Sequence, residues 1–223
     1  MSEGFGAFGK MPSVGDFFRI NPPSGFVSAW DNWAQRTILA SQTVLGAAWD
    51  GHYMSSPIWR FTLSAGLAGP HKRIGVFMPS VDRVGRRFPL TLMATVATSG
   101  SAASDHFRAG ALFERLETLA LDALEDDMSR ERLEQGLAEI PLPDAVPMPM
   151  SRKAGRSLVM VHDDIMADLA AEQLGNDWVN PSVWSATVGD SQRLLVCDGL
   201  PEGPEAQGLF HLDAPIWRAG QAA

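Results

Sequence analysis

The strongest constraint on the fold lies in the first half of the chain, where three apolar segments follow one another in short succession. Residues 58–65, 73–78 and 88–97 have the length and the β-branched and aromatic content of strands. The intervals between them contain helix-breaking residues, namely Gly66, Gly69, Pro70, Pro79 and Gly85. Such intervals are typical of short loops between neighbouring strands. The pattern therefore predicts an antiparallel meander.

Two longer segments carry the three- and four-residue spacing of apolar side chains that is typical of amphipathic helices. The first covers residues 24–46, with Ser24 at its N-cap and a face rich in tryptophan. The second covers residues 105–126, behind a cap at Ser104. The same reasoning predicts further strands at 3–9, 157–162, 183–188, 193–197 and 209–212, and helices at 129–140 and 163–174.

Together these elements predict an α/β (α+β) fold with a mixed, largely antiparallel sheet flanked by helices. A chain of 223 residues buries about 70% of its unfolded surface without a disulfide, and we interpret residues 1–223 as a single domain. Four prolines exclude a helix after residue 140, namely Pro141, Pro143, Pro147 and Pro149. We expect an extended, proline-rich internal connection at about residues 141–155.

Composition indicates a soluble protein of a reducing compartment. The single cysteine, Cys197, has no internal disulfide partner and follows an apolar run, so it is expected to be a buried strand residue. The N-terminus lacks the basic and apolar regions of a signal peptide, and no apolar run approaches the ~18 residues of a membrane span. We therefore expect a cytoplasmic protein without membrane insertion.

Charges are divided unevenly along the chain. The net charge of −8 opposes binding to nucleic acid, because the phosphate backbone repels such a surface. Residues 1–100 contain nine Lys/Arg and five Asp/Glu, whereas residues 101–223 contain nine and twenty-one, so the two parts carry +4 and −12. Either the two parts attract each other or present faces of opposite sign, or the acidic residues simply lie on solvated helix faces.

Motifs for catalysis or metal binding are incomplete. Residues 4–10 have the G-x-x-x-x-G-K spacing of a phosphate-binding loop, but Met11 and Pro12 stand where a magnesium ligand and a helix are required. The five histidines lack the spacing of a zinc site, and the cluster at 162–164 is explained as a helix N-terminus. Neither a G-x-S-x-G motif nor a reactive cysteine setting occurs. We predict no cofactor and no enzymatic activity.

A further group of charged residues lies in glycine- and proline-rich or strand-edge segments and alternates with large aromatic residues. The candidate residues are Lys10, Asp16, Arg19, Asp31, Trp59, Arg60, Asp82, Arg83, Arg86 and Arg87. Such a group is typical either of a rigid interaction surface or of an internal ion-pair lattice. We expect Trp59 to be mostly buried, together with Trp30 and Trp33 of the first long helix.

Asp16 is expected to have an ion-pair partner. A charge that turns hold beside tryptophan or phenylalanine walls is costly when it is unpaired. The candidate partners are Arg19, Arg60, Arg83 and Arg86.

Several blocks of sequence suggest a family. The first-half blocks are GKMPSVGDFFR at 9–19, WDNW at 30–33, PIWRF at 57–61 and GVFMPSVDRVGRRFPL at 75–90. Looser blocks follow as SVW at 182–184 and CDGLP at 197–201. With these blocks in this order, the chain resembles the TagF (ImpM) proteins associated with bacterial type VI secretion systems. It departs from the family at Trp184 and Ser185, where relatives often have two adjacent tryptophans.

The resemblance implies a non-enzymatic accessory protein that restrains assembly or firing of the secretion apparatus after translation. It implies action through the forkhead-associated scaffold protein of that system, and a functional link to a PppA-type phosphatase, because some relatives carry such a domain on the same module. One alternative is an anion- or nucleotide-binding enzyme that uses Lys10, Asp16 and Arg86. Another is a structural component of the secretion machine, which would co-purify with assembled sheath or baseplate.

Overall fold

A computed structural model describes residues 4–143, 150–154, 157–161, 165–174 and 178–218. The strands are β1 (Gly6–Gly9), β2 (Phe18–Ile20), β3 (Trp59–Leu63), β4 (Lys72–Met78), β5 (Leu90–Val96), β6 (Met150–Ala154), β7 (Ser157–Val161), β8 (Pro181–Val188) and β9 (Ser191–Asp198). The α-helices are α1 (Phe26–Leu45), α2 (Trp49–Met54), α3 (Ala102–Arg108), α4 (Gly110–Asp122), α5 (Arg130–Ala138), α6 (Ile165–Leu174) and α7 (Gly203–Phe210). Short 3-10 turns cover Gly46–Ala48 and Pro215–Arg218.

Seven of the strands form one sheet in the order β2-β1-β5-β4-β3-β8-β9, and every neighbouring pair is antiparallel. β6 and β7 form a separate antiparallel hairpin. The predicted meander is confirmed as β3, β4 and β5, and the predicted fold class is confirmed with it. No helix within the described part of the chain is long and apolar enough to cross a bilayer.

Alternating side chains of the sheet contribute to two separate cores. On β4, Ile74 and Val76 belong to the core that α4 and α5 cover, whereas Phe77 belongs to the core that α1 and α7 cover. This alternation follows from the two-residue period of a strand, and apolar residues at consecutive positions allow helices to pack on both faces. The result is three layers, with the sheet in the middle.

Tryptophans of α1 fill the second core, as predicted. Trp30 and Trp33 lie one turn apart on the inner face and are no more than 1% exposed, and Trp59 of β3 is fully buried. Each indole N–H has an acceptor: Trp30 donates to Thr91 Oγ1 at 2.9 Å, and Trp33 and Trp59 donate to backbone carbonyls at 2.8 Å. These three tryptophans are therefore buried with their indole donors satisfied, whereas the indole N–H of buried Trp49 in the same core has no hydrogen-bond partner.

Three local predictions are wrong. The N-cap residue of α1 is Gly25 rather than Ser24, and no side chain caps this helix. The strand predicted at 209–212 is instead the end of α7, because Pro204 favours a helix start and Leu209 and Phe210 pack into the α1 core from a helix. The single helix predicted at 105–126 is two helices that are separated at Ala109, and Ser101 rather than Ser104 supplies the N-cap oxygen. A short apolar run does not by itself distinguish helix from strand.

The remaining predicted elements agree with the structure within a few residues, whereas β2 and α2 were not predicted. Ser129 caps α5, and Cys197 is a buried residue of β9. The expected proline-rich connection contains β6, while residues 144–149 and 155–156 of it lie outside the described residues, as does the cluster at 162–164. That residues 1–223 form one domain stays a prediction.

Replacement of a core tryptophan should destabilise the protein far more than replacement of an exposed residue on the same helix. Trp30→Ala leaves a large cavity between α1 and the sheet, so we expect a loss of about 3–5 kcal/mol in the free energy of unfolding. Leu39→Ala is the control, because Leu39 is 65% exposed, and it should change stability by less than about 0.5 kcal/mol. Urea unfolding followed by tryptophan fluorescence and circular dichroism measures both. Equal effects of the two variants would contradict the assignment of this core.

Candidate functional site

A buried carboxylate lies at the centre of the candidate residues. Asp82 follows β4, and its side chain is fully buried. Its Oδ2 accepts hydrogen bonds from Lys10 Nζ at 3.0 Å and Arg86 Nε at 2.7 Å, and its Oδ1 accepts from the backbone amides of Val84 at 3.1 Å and Arg86 at 2.9 Å. Four donors thus satisfy one carboxylate.

The electrostatic setting keeps Asp82 ionised. Burial by itself raises the pKa of this carboxyl, but hydrogen bonds from the Arg86 amide, the Lys10 ammonium, the Arg86 guanidinium and the Val84 amide outweigh it, so the pKa lies well below its usual range. Lys10 is itself only 5% exposed. Each of the two buried charges therefore depends on the other, because an unpaired charge in this position is costly.

The same contacts join two loops into one surface, which we call the double-loop surface and define as residues 12–17 and 80–87. The backbone amide of Arg83 donates to the Val14 carbonyl at 3.0 Å, and Arg86 Nη2 donates to the Gly15 carbonyl at 2.7 Å. Gly85 adopts a φ of 79°, which closes the turn after Asp82. Backbone contacts between the loops fix their relative positions.

Outward-facing residues of the double-loop surface combine positive charge with apolar area. Val84 is 71% exposed and Phe17 is 44% exposed. Arg83, Arg86 and Arg87 are exposed beside them. Phe17 stacks edge-on against buried Phe88 at a ring distance of 4.7 Å, so its position is fixed even though it faces solvent.

The ion pair predicted for Asp16 is present. Asp16 Oδ1 lies 3.8 Å from Arg86 Nη2, and both side chains are more than half exposed. This contact is weak compared with the buried one, because solvent screens it. The side chain of Arg86 is thus fixed chiefly by its ion pair with Asp82. Sequence analysis did not predict this pairing.

Other candidate residues lie elsewhere. Arg87 pairs with Asp50 of α2 at 2.9 Å, at the border of the double-loop surface. Arg60 lies on another part of the sheet, where it forms a bidentate pair with Glu117 of α4 at 2.7 Å. The structure therefore divides the candidates into a cluster around Asp82 and several separate contacts.

Three further candidates make contacts outside the double-loop surface. Arg19 of β2 is exposed, with its guanidinium 5.8 Å from the Phe8 ring. Asp31 accepts a hydrogen bond from Gln35 at 2.9 Å within α1. Trp59 is a core residue, as described above. None of these contacts reaches the double-loop surface.

The phosphate-loop spacing at residues 4–10 has a different structural role. Gly6–Gly9 form β1, and no Cβ fits at Gly9, where it would lie 2.0 Å from the Pro89 carbonyl oxygen. Lys10 points to Asp82 and away from solvent. Its charge is already neutralised, so it is a poor ligand for an added phosphate.

Sequence reasoning missed a serine–histidine pair on the α3 side of the sheet. His106 Nε2 lies 2.8 Å from Ser185 Oγ, and His106 Nδ1 lies 3.1 Å from Thr62 Oγ1, beside a cavity of about 250 Å³. Burial, with the nearby Arg60 guanidinium, lowers the pKa of His106 to about 3. Such an imidazole holds a proton poorly at neutral pH and is a weak general base. Although the distances resemble those of a catalytic triad, these hydrogen bonds connect three elements and do not activate the serine.

Comparison with known proteins identifies the family. The family model of the TagF N-terminal domain, type VI secretion system-associated, matches residues 6–140. This chain belongs to the TagF family. A crystal structure of PA0076 from Pseudomonas aeruginosa PAO1 is similar to it over 94% of this chain and 95% of that one, with 32% identity and a TM-score of 0.74. No curated protein matches the chain.

The TagF-like blocks coincide with the double-loop surface. The block at 9–19 contains Lys10 and the first loop, and the block at 75–90 contains Asp82 and the second loop. The matched region of the family model also includes all of β1 to β5. Both loops of this surface thus lie within the region that the family model matches.

Loss of the buried charge at residue 82 should lower thermal stability. Asp82→Asn leaves the Lys10 ammonium buried beside a neutral partner, so we expect the melting temperature to fall by about 5 °C or more. Asp16→Asn removes only the exposed partner of Arg86 and should shift it by less than about 2 °C. Differential scanning calorimetry at pH 7 compares the two. A larger shift for Asp16→Asn would show that the exposed pair carries the loops.

Acid should destabilise the protein through His106. In the unfolded chain this residue takes up a proton near its ordinary pKa of 6.5, whereas the folded protein keeps it neutral down to about 3. The unfolded state therefore binds more protons between these values, and stability decreases as the pH falls through this window, by up to about 1.4 kcal/mol per pH unit. His106→Gln should flatten the pH dependence of unfolding between pH 6.5 and 4. An unchanged slope would show that His106 is accessible to protons in the folded state.

Proposed function

We propose that this TagF-family protein is a non-enzymatic, cytoplasmic repressor of a type VI secretion system. It binds the forkhead-associated scaffold protein of that system after translation and so restrains assembly or firing. A PppA-type phosphatase acts in the same regulatory step. The family assignment over residues 6–140 carries the link to type VI secretion, and the double-loop surface supplies the contact.

The double-loop surface has the properties of a protein-binding site. Val84 stands at the tip of a turn that is fixed by backbone hydrogen bonds, so little conformational entropy is lost when it enters a partner pocket. Phe17 and the exposed arginines lie beside it, and arginine and aromatic side chains are frequent at the energetic centres of interfaces. A complementary partner surface is acidic at its rim and apolar at its centre.

Repression by binding is stoichiometric. One molecule occupies one scaffold protein, so the effect depends on the relative abundance of the two and on their Kd. Overproduction should silence secretion, whereas an enzyme would act on many targets at low abundance. The alternative function, an anion- or nucleotide-binding enzyme, has little support, because Lys10 is already paired and His106 is a weak base.

Affinity for the scaffold protein should depend on Val84. Val84→Asp places a carboxylate at the tip of the basic surface, and we expect a loss of about tenfold or more in affinity. Leu39→Asp is the matched control, because Leu39 is comparably exposed on α1, and it should leave affinity unchanged. Isothermal titration calorimetry with purified scaffold protein measures both variants. Unchanged affinity for Val84→Asp, with a normal melting temperature, would overturn the assignment of this surface.

Substitution of Arg86 distinguishes a role in partner binding from a structural role. Its guanidinium contacts Asp82 and the Gly15 carbonyl, so Arg86→Ala is expected to lower the melting temperature. If Arg86 also contacts the partner, affinity per folded molecule falls as well. Lower stability with unchanged affinity would restrict Arg86 to a structural role and leave Arg83 and Arg87 as the candidate anchors. Co-purification of the protein with assembled sheath or baseplate, rather than with scaffold protein, would contradict the proposed function.

A further inference from the structure

The two edges of the central sheet differ in how they are protected. At one edge, β2 has three residues, and Arg130 of α5 donates a hydrogen bond to the Arg19 carbonyl at 2.8 Å. At the other edge, β9 has eight residues and no second strand beside it among the described strands. Proteins commonly block exposed edges with proline, lysine or a covering element. β9 contains neither proline nor lysine.

The register of the β8–β9 hairpin shows which backbone groups point outward. Val188 and Ser191 are paired across a two-residue turn that begins with Gly189 at a φ of 57°, and such a turn closes with a hydrogen bond between its flanking residues. At the far end, the Gly199 amide donates to the Asn180 carbonyl at 2.9 Å. Odd-numbered residues of β9 therefore bond to β8, and the amides of Gln192, Leu194 and Val196 point away from the sheet.

Cavities border this open edge at both ends. Successive side chains of a strand point to opposite faces, and each cavity is lined by residues of β9, the last strand of the sheet. Residues 192–194 line the cavity beside His106, and residues 196–198 line a second cavity of about 510 Å³. Leu194 is 47% exposed between them. An added strand would thus find pockets for side chains near each of its ends.

The second cavity is acidic. Asp198, Glu202 and Glu205 line it, together with Trp178, which is 37% exposed. Among the described residues, Arg36 lies 3.7 Å from Glu202, and no lysine or arginine side chain pairs with the other two carboxylates. Burial and the charge of Glu205 raise the pKa of Cys197 in the same wall to about 12. A lysine or arginine side chain complements this wall, and its alkyl part can pack on the indole.

We propose that β9 is a second interaction edge, which binds an extended segment of another protein as an eighth antiparallel or parallel strand. A basic side chain of that segment occupies the acidic cavity, and an apolar side chain covers Leu194. Main-chain hydrogen bonds to the outward amides supply affinity, and the cavities supply specificity. β8 and β3 separate this edge from the strands that carry the double-loop surface. The inference is therefore independent of the function proposed above.

Two synthetic nine-residue peptides test the edge with the full-length protein. One alternates valine with lysine, and the other alternates valine with glutamate. We expect the lysine peptide to bind about tenfold more tightly, because the glutamate peptide opposes the acidic cavity. At ten times its Kd, the lysine peptide should slow hydrogen exchange at the amides of Gln192, Leu194 and Val196 by about tenfold, as measured by NMR.

Variants of β9 and α7 distinguish strand addition from unspecific adhesion. Leu194→Pro removes an outward amide without removing a bond to β8, and it should abolish binding of the lysine peptide, whereas Leu194→Thr keeps the amide and should retain binding. Glu205→Gln leaves the edge intact and should reduce the preference for lysine over glutamate. Scaffold binding should be normal in all three variants.

Several results would overturn the proposal. They are equal binding of the two peptides, undiminished binding by a folded Leu194→Pro variant, and slow exchange of the three outward amides before peptide is added. The last result would mean that the chain already covers its own edge. A homodimer that is lost in Leu194→Pro would assign the edge to a second copy of the chain instead.

Discussion

The buried contact between Lys10 and Asp82 determines the arrangement of everything around it. Lys10 follows β1, Asp82 follows β4, and the two lie 72 positions apart in the chain. The carboxylate also binds two backbone amides of its own loop, so the ion pair that joins the strand ends shapes the turn as well. An unpaired Lys10 ammonium is costly at this depth, so the positions of the two loops depend on this pair.

Most strands of the sheet could be predicted from the sequence because they are local patterns, whereas the three-residue β2 could not. Residues 58–65, 73–78 and 88–97 each carry enough apolar and β-branched side chains to be recognised alone. The structure of residues 209–212 could not be predicted, because four residues fit a helix end as well as a strand. Only their packing against α1 distinguishes the two. The ion-pair partners of charged residues were still harder to predict from the sequence. Arg60 pairs with Glu117, and no local pattern connects β3 with α4.

The uneven division of charge along the chain has two structural expressions. Among the residues that the structure describes, first-half cations pair with second-half carboxylates in three places: Arg36 with Glu202, Arg60 with Glu117, and Lys72 with Asp105. These pairs are the attraction between the two parts that the charge totals suggested. Elsewhere the charges are segregated, with exposed arginines on the double-loop surface and carboxylates around the cavity at the end of β9. A single total of −8 conceals both arrangements.

The two proposed interaction surfaces differ in sign, and this has a consequence for how the proposed repressor would act. A protein with one binding surface meets its partner at the partner's bulk concentration. A protein with two separate binding surfaces can hold a second partner near the first, which raises the effective concentration of the two partners for each other. The basic surface is built from loops fixed by a buried ion pair, and the acidic edge is a strand within the same sheet. Because the loops connect strands of the sheet that contains the β9 edge, the fold sets the distance between two bound partners. Repression through these surfaces would then depend on geometry as well as affinity. Two partners that cannot occupy both surfaces at the same time would gain no affinity from the second surface.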